Sequence, residues 1–253
     1  MAPLLVALVV LGCAFGASVA GIVLHRKLPE HHQDAESKDV VKLVMGLIAT
    51  MAALVLGLLI ASAHGSYDTQ ESEVQRLGVD VVQLDRALAH YGPDATEARN
   101  LLRQVVADEI ERNWPDHGGA SAKVKLPPGR AAGENLYDQI VNLSPKTEAQ
   151  RFGQGRALQL LTTMGETRRL LYEQSGGSIS WPFLVILVSW VVALFFGFGL
   201  LAHYNATVLA ALFVGALSVA GAIFLILEMN QPYSGLMRIS SAPLRHAMAA
   251  IGL

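Results

Sequence analysis

The residues best suited to chemistry lie at the end of the last apolar stretch. Glu228 is the only carboxylate that directly adjoins such a stretch, and a polar turn follows it. A carboxylate near hydrocarbon needs a cationic partner, so Glu228 marks a candidate ion or ligand site, with Arg238 or a neighbouring subunit as its partner. The other reading is an anchor residue in contact with water. The candidate residues are Glu228, Asn230, Pro232, Tyr233, Gly235 and Arg238.

A second polar group lies in the first short loop, where Glu30, His31, His32 and Asp34 are crowded together. Imidazoles and carboxylates can bind zinc. Adjacent histidines without helical or Cys-x-x-Cys spacing are a weak zinc pattern, so we interpret this stretch as a solvated loop and predict no metal site. His64 and His203 end apolar stretches and are interpreted as interfacial residues.

No enzyme motif is present in the sequence. There is no G-x-S-x-G, no P-loop, no H-E-x-x-H, and no G-x-G-x-x-G after a strand. We therefore predict neither an enzyme nor a cofactor. The four long apolar stretches contain no Asp, Glu, Lys, Arg or His, unlike the spans of most pumps and proton relays. A hydrophobic constriction in an oligomer needs no charge, so ion conduction stays compatible with the sequence.

Four apolar stretches determine the fold class. They cover residues 2–24, 43–63, 180–202 and 206–227, and each is long enough to cross the roughly 30 Å of hydrocarbon at about 1.5 Å per helical residue. Irregular backbone in lipid would leave amide groups unpaired, so each stretch is expected to be a helix. Arg26 and Lys27 follow the first stretch and no charge precedes it, the reverse of a cleaved signal. We predict an all-α integral membrane protein with four transmembrane helices in two hairpins.

The polar middle of the chain predicts an all-helical domain inserted between spans two and three. Apolar residues at alternating steps of three and four run from Val74 to Tyr91, so the second span could continue into this helix as one rod, up to Gly92-Pro93. Further helices are expected at 94–114, at 134–143, and from an N-cap at Ser144-Pro145 toward Glu173, with a loop at 115–133. The predicted divisions are 1–64, 65–178, 179–230 and an amphipathic tail, 231–253.

Small residues and charge give two further predictions. The pairs Gly12/Gly16 and Ala211/Gly215 have the spacing of close helix contacts. The positive-inside rule places Arg26 and Lys27 on the cytoplasmic side of a bacterial inner membrane, with the termini and the helical domain on the opposite side. Arginines near the other helix ends favour the reverse orientation. The net charge of −2 gives no indication of nucleic-acid binding.

The chain resembles the bacterial bestrophin-like membrane proteins. The resemblance rests on two helical hairpins around a helical insert and on three segments: Leu28-Pro29-Glu30-His31-His32 leading to Asp39-Val40, Asn113-Trp114-Pro115, and Leu225 to Gly235 with Arg238, Ser240, Pro243 and Leu244. The family's usual pattern has an aspartate at Asn230 and a phenylalanine at Tyr233. The resemblance implies an oligomeric ion (anion) channel in a lipid bilayer. The alternative is a non-conducting scaffold or accessory subunit of a membrane complex, which would use the heptad seam to pair with a partner helix.

Overall fold

The computed structural model describes residues 3–27, 35–114, 129–174, 181–231, 233 and 235–252. All regular structure in these residues is helical, which confirms the predicted all-α class. The helices are α1 (Pro3–His25), α2 (Ala35–Tyr91), α3 (Thr96–Asn113), α4 (Gly129–Val141), α5 (Glu148–Gln174), α6 (Trp181–Leu201), α7 (Ala206–Met229) and α8 (Ala242–Ala250). Glu30, His31, His32, Asp34, Pro232 and residues 115–128 lie outside the described residues.

Four helices of the described chain, α1, α2, α6 and α7, are long and apolar enough to cross a membrane. They coincide with the four predicted spans. α2 continues well beyond its apolar part and reaches 57 residues, as the heptad pattern predicted. No proline interrupts it. It ends at Tyr91, because the next residue, Gly92, has a φ of 115° that favours glycine, and Pro93 cannot donate a backbone hydrogen bond to continue the helix.

The beginning of α4 differs from the prediction. The helix begins at Gly129, so the part of the predicted loop from residue 129 to 133 is helical. A glycine inside a helix costs only about 1 kcal/mol relative to alanine. The fully buried side chains of Leu136 and Ile140 anchor α4 in a hydrophobic core and outweigh this local cost.

The predicted N-cap of α5 is wrong. Thr147, and not Ser144, precedes the helix, and its Oγ1 accepts a hydrogen bond from the Gln150 N–H at 3.2 Å. The Gln150 side chain in turn accepts the N–H of Lys146 at 2.8 Å. The two bonds resemble a capping box displaced by one residue: the first satisfies an amide in the first turn of α5, and the second satisfies the amide of the residue before the cap. The sequence Thr147-x-x-Gln150 therefore outcompetes Ser144-Pro145 as the helix start.

The chain divides into two compact units. The membrane unit comprises Met1–Gly65 and Gly177–Asn230, and the helical unit comprises Ser66–Gly176 and Gln231–Leu253. The tail, which the sequence analysis set apart as residues 231–253, therefore groups with the helical segment. α2 contributes residues to both units.

In the membrane unit, α1 and α6 approach each other through glycine. A Cβ added at Gly199 would overlap the carbonyl of Ser18, and one added at Gly21 would overlap the carbonyl of Phe196. Backbone therefore lies directly on backbone at this crossing, an arrangement that only residues without a side chain allow. On α2, Met45 and Ala52 pack against Leu187 and Leu194 of α6.

In the helical unit, the heptad seam of α2 is buried within the chain itself. Its core members are Val74, Val81, Leu84, Leu88 and Tyr91, packed with residues of α3, α4, α5 and α8. An ion pair joins α2 to α3, because Arg99 donates two hydrogen bonds of 2.8 Å to the buried carboxylate of Asp85. Gln154 of α5 donates to backbone carbonyls at the end of α4, including that of Ile140 at 2.8 Å.

Candidate functional site

The C-terminal turn is held in the helical unit by two aromatic rings. The indole Nε1 of Trp114 donates a hydrogen bond of 2.8 Å to the carbonyl of Ile239. Its ring meets Tyr233 edge to face, with centroids 5.3 Å apart and planes at 78°. All three residues are buried. The end of α3 and the turn after α7 thus form one packed site, which joins two of the segments that carry the family resemblance.

The phenol of Tyr233 is in an environment that keeps it neutral. Burial raises its pKa well above the ordinary value, and the negative charges of Glu109 and Glu73 raise it further. A phenol with a raised pKa is a hydrogen-bond donor at neutral pH and a poor nucleophile. The arrangement is therefore suited to holding the turn in place, and not to covalent catalysis.

Glu109 is the centre of a small charged cluster next to this turn. Its Oε2 lies 2.5 Å from Nη2 of Arg168 on α5 and 3.8 Å from Nη2 of Arg112. Its Oε1 accepts a hydrogen bond of 2.8 Å from the Asn113 side chain. One carboxylate is thus shared between α3 and α5. The sequence analysis missed this cluster, because no periodic pattern links residues 109 and 168.

The charged cluster and the aromatic rings line a cavity of about 790 Å³ in the helical unit. This is the size of many small-molecule sites. Its lining is mostly apolar and aromatic, with Glu109, Arg112 and Arg168 among its polar members. Charged side chains of both signs therefore lie within this lining.

The predicted turn residues are distributed over both units. Glu228 is buried in the last turn of α7, and Asn230 caps that helix through a backbone hydrogen bond to the Glu228 carbonyl. Tyr233 belongs to the helical unit, as do Gly235, with a φ of 91°, and the exposed Arg238. Glu228 and Arg238 therefore belong to different units. Their pairing stays a prediction.

The predicted small-residue contacts are not used within one chain, except at one position. A Cβ at Gly12 or Gly16 would meet nothing within 4 Å, whereas one at Gly215 would lie 3.4 Å from the Phe195 ring. Ala211 is exposed. Packing of Gly12, Gly16 and Ala211 against another subunit stays a prediction. Within the chain, the close contact between α1 and α6 lies at Gly21 and Gly199. Two glycines in one apolar stretch, Gly197 and Gly199, are the sequence feature that could have indicated it.

Two pairs of side chains join the end of α1 to the segment after α6. The rings of His25 and His203 lie 5.4 Å apart between centroids, with an angle of 67° between their planes. The guanidinium of Arg26 lies 4.6 Å from the centre of the Tyr204 ring. The sequence analysis interpreted His203 as an interfacial residue alone and did not pair it with His25. No group of three or more His, Cys, Asp or Glu in the described residues could hold a metal ion.

Four apolar helices with a helical insertion between the second and third define a multi-pass membrane protein. Residues 12–244 match the bestrophin-like domain, and the chain belongs to that family. This confirms the class predicted from the sequence, a membrane protein of channel-like type.

Solved structures with the same fold include a bacterial bestrophin homolog from Klebsiella pneumoniae. Two crystal structures of its point variants match this chain with TM-scores of 0.67 and 0.68, at 12% sequence identity. The alignment covers 97% of this chain and 97% of each of those chains. No curated protein sequence matches this chain. The structural likeness extends over nearly the whole fold.

Proposed function

We propose that the protein is an oligomeric ion channel, without enzymatic activity, in which the apolar part of α2 forms the constriction of a shared pore. The observation that carries this proposal is the uneven cover of the four spans. In α2, only 11% of the residues of the apolar stretch are buried within the chain, compared with 33% in α1, 39% in α6 and 22% in α7. The chain therefore leaves α2 as the span with the most surface for neighbouring subunits.

The open side of α2 has a regular pattern that suits this role. The most exposed large apolar residues of its span are all leucines, at steps of four, seven and four: Leu43 (74%), Leu47 (63%), Leu54 (70%) and Leu58 (70%). Such steps place side chains on one stripe of a helix. A ring of leucines contributed by several subunits would form an apolar constriction, which gates conduction by dewetting and needs no charge.

Flux and oligomeric state test the proposal together. The purified protein in liposomes is expected to pass chloride, with sodium as the comparison ion, and to migrate as a homo-oligomer in native mass spectrometry. Leu54→Ala is expected to increase the flux severalfold, because it widens the constriction. Leu217→Ala on α7, also exposed and apolar, is the matched control and is expected to leave the flux unchanged. A monomer, or no flux of either ion, would contradict the proposal.

One argument for the alternative hypothesis, a non-conducting scaffold, no longer applies. It relied on the heptad seam of α2 being available to a partner helix, and that seam is buried in the core of the chain's own helical unit. Copurification of a stoichiometric second protein, together with absence of flux, is the result that would favour a scaffold.

The orientation is a separate part of the proposal. Arg26 and Lys27, at the end of α1, support a cytoplasmic location for the first short loop in a bacterial inner membrane, with the helical unit outside. Cys13 is the only cysteine, so Cys13→Ser gives a clean background for labelling. An impermeant thiol reagent is expected to label Phe152→Cys in intact cells, and Tyr204→Cys only after lysis. The opposite pattern would reverse the orientation.

A further inference from the structure

The rings of His25 and His203 lie at a distance that suits a shared metal ion. Zinc binds an imidazole nitrogen at about 2.0–2.1 Å, roughly 3.2 Å from the ring centre, and a tetrahedral angle then separates two ring centres by about 5.2 Å. The observed separation between the centroids is 5.4 Å. A square-planar cis arrangement would need about 4.5 Å, so the observed separation lies closer to the tetrahedral value.

The elements that carry the two rings are fixed by close packing. His25 is the last residue of α1, and His203 follows α6 by two residues. α1 and α6 cross backbone to backbone at Gly21 and Gly199, one turn from these ends. Because neither helix can shift there without a clash, the imidazoles are held near each other before any ion binds. Such preorganisation reduces the entropy lost on binding.

The positive charge next to the histidine pair, that of Arg26, contacts an aromatic ring. Arg26, the nearest basic residue in sequence to His25, has its guanidinium over the ring of Tyr204. Both histidines are at least partly exposed, so an ion can reach them from solvent. Neutral imidazoles prefer zinc and its neighbours among divalent ions to calcium or magnesium, which need oxygen ligands.

We infer that His25 and His203 form a two-histidine binding site for a divalent transition ion of the zinc class, with water in the remaining coordination positions. A bound ion would link the end of α1 to the segment between α6 and α7. The inference concerns binding, and it does not depend on whether the protein conducts ions.

Titration calorimetry with Zn²⁺ on the purified full-length protein is the direct test. One ion per chain is expected, and His25→Phe and His203→Phe are each expected to weaken binding by about tenfold or more, since each removes one ligand. Phenylalanine keeps an aromatic ring in the contact, so these variants separate the metal ligand from the packing. His64→Phe and the double variant His31→Ala/His32→Ala are expected to retain the binding.

A second measurement needs no variant. Diethyl pyrocarbonate modifies accessible imidazoles, and mass spectrometry locates each modified histidine. Zn²⁺ is expected to protect His25 and His203 together, while the exposed His64 and His90 react as before. Absence of Zn²⁺ binding, retention of binding in either phenylalanine variant, or protection of neither residue of the pair would overturn the inference.

Discussion

At the scale of single residues, the turn after α7 is held by atoms that the sequence pattern alone did not connect. Trp114 and Tyr233 are far apart in the chain, and each belongs to a segment of the family resemblance. Their edge-to-face contact and the indole hydrogen bond to Ile239 bring the two segments together. The tryptophan satisfies a buried carbonyl, which would otherwise cost about 1–3 kcal/mol.

Tyr233 gives a prediction about alkaline stability. Its folded-state pKa lies above that of the unfolded chain, because of burial and then of the charges of Glu109 and Glu73. The stability that this group contributes is therefore complete below about pH 10 and is lost as the pH rises beyond it, since the unfolded chain releases the proton first. We expect the wild-type Tm to fall at alkaline pH and the Tyr233→Phe variant to lose less.

The exposed Tyr204 provides the control for this experiment, because Tyr204→Phe removes a phenol that is not buried. We expect its Tm to follow that of the wild-type protein over the whole alkaline range. Equal alkaline slopes for wild type and Tyr233→Phe would show that Tyr233 does not carry the effect. Phenylalanine fits the site by shape, and it is the residue that the family resemblance assigns to this position.

At the scale of elements, glycine sets the distance between α1 and α6. Gly199→Ala would push a methyl group into the Ser18 carbonyl, and the obstacle is backbone, which cannot rotate away. We expect a loss of about 1–3 kcal/mol in the free energy of unfolding, the usual cost of overpacking. Thermal unfolding in detergent measures it. Gly46→Ala, at a position with nothing within 4 Å, is the matched control and is expected to change little.

Gly12 and Gly16 predict a different effect, because their faces are open within the chain. If another subunit packs there, Gly16→Leu should weaken the oligomer and leave the fold of each chain intact. Chemical cross-linking and native mass spectrometry report the first property, and helical content by circular dichroism reports the second. An unchanged oligomer would remove this face from the interface.

At the scale of the whole molecule, the sequence was most informative where the signal is local. Length and hydropathy located the four spans, and the heptad steps together with the absence of proline indicated that α2 is continuous. The start of α5 was predicted wrongly because two capping patterns lie within a few residues of each other. The start of α4 was predicted too late because the packing of its buried side chains outweighs the cost of its glycines. The Glu109 cluster and the His25–His203 pair depend on contacts between distant segments, which no single stretch encodes.

The crossing of α1 and α6 also limits how the membrane unit can rearrange. Two helices that touch through Gly21 and Gly199 cannot slide along each other, because the neighbouring side chains would then clash with the backbone of the opposing helix. We expect α1 and α6 to move as one rigid body. Any motion that opens or narrows a passage must then occur along other helix contacts, and α2 is the span that the rest of the chain covers least.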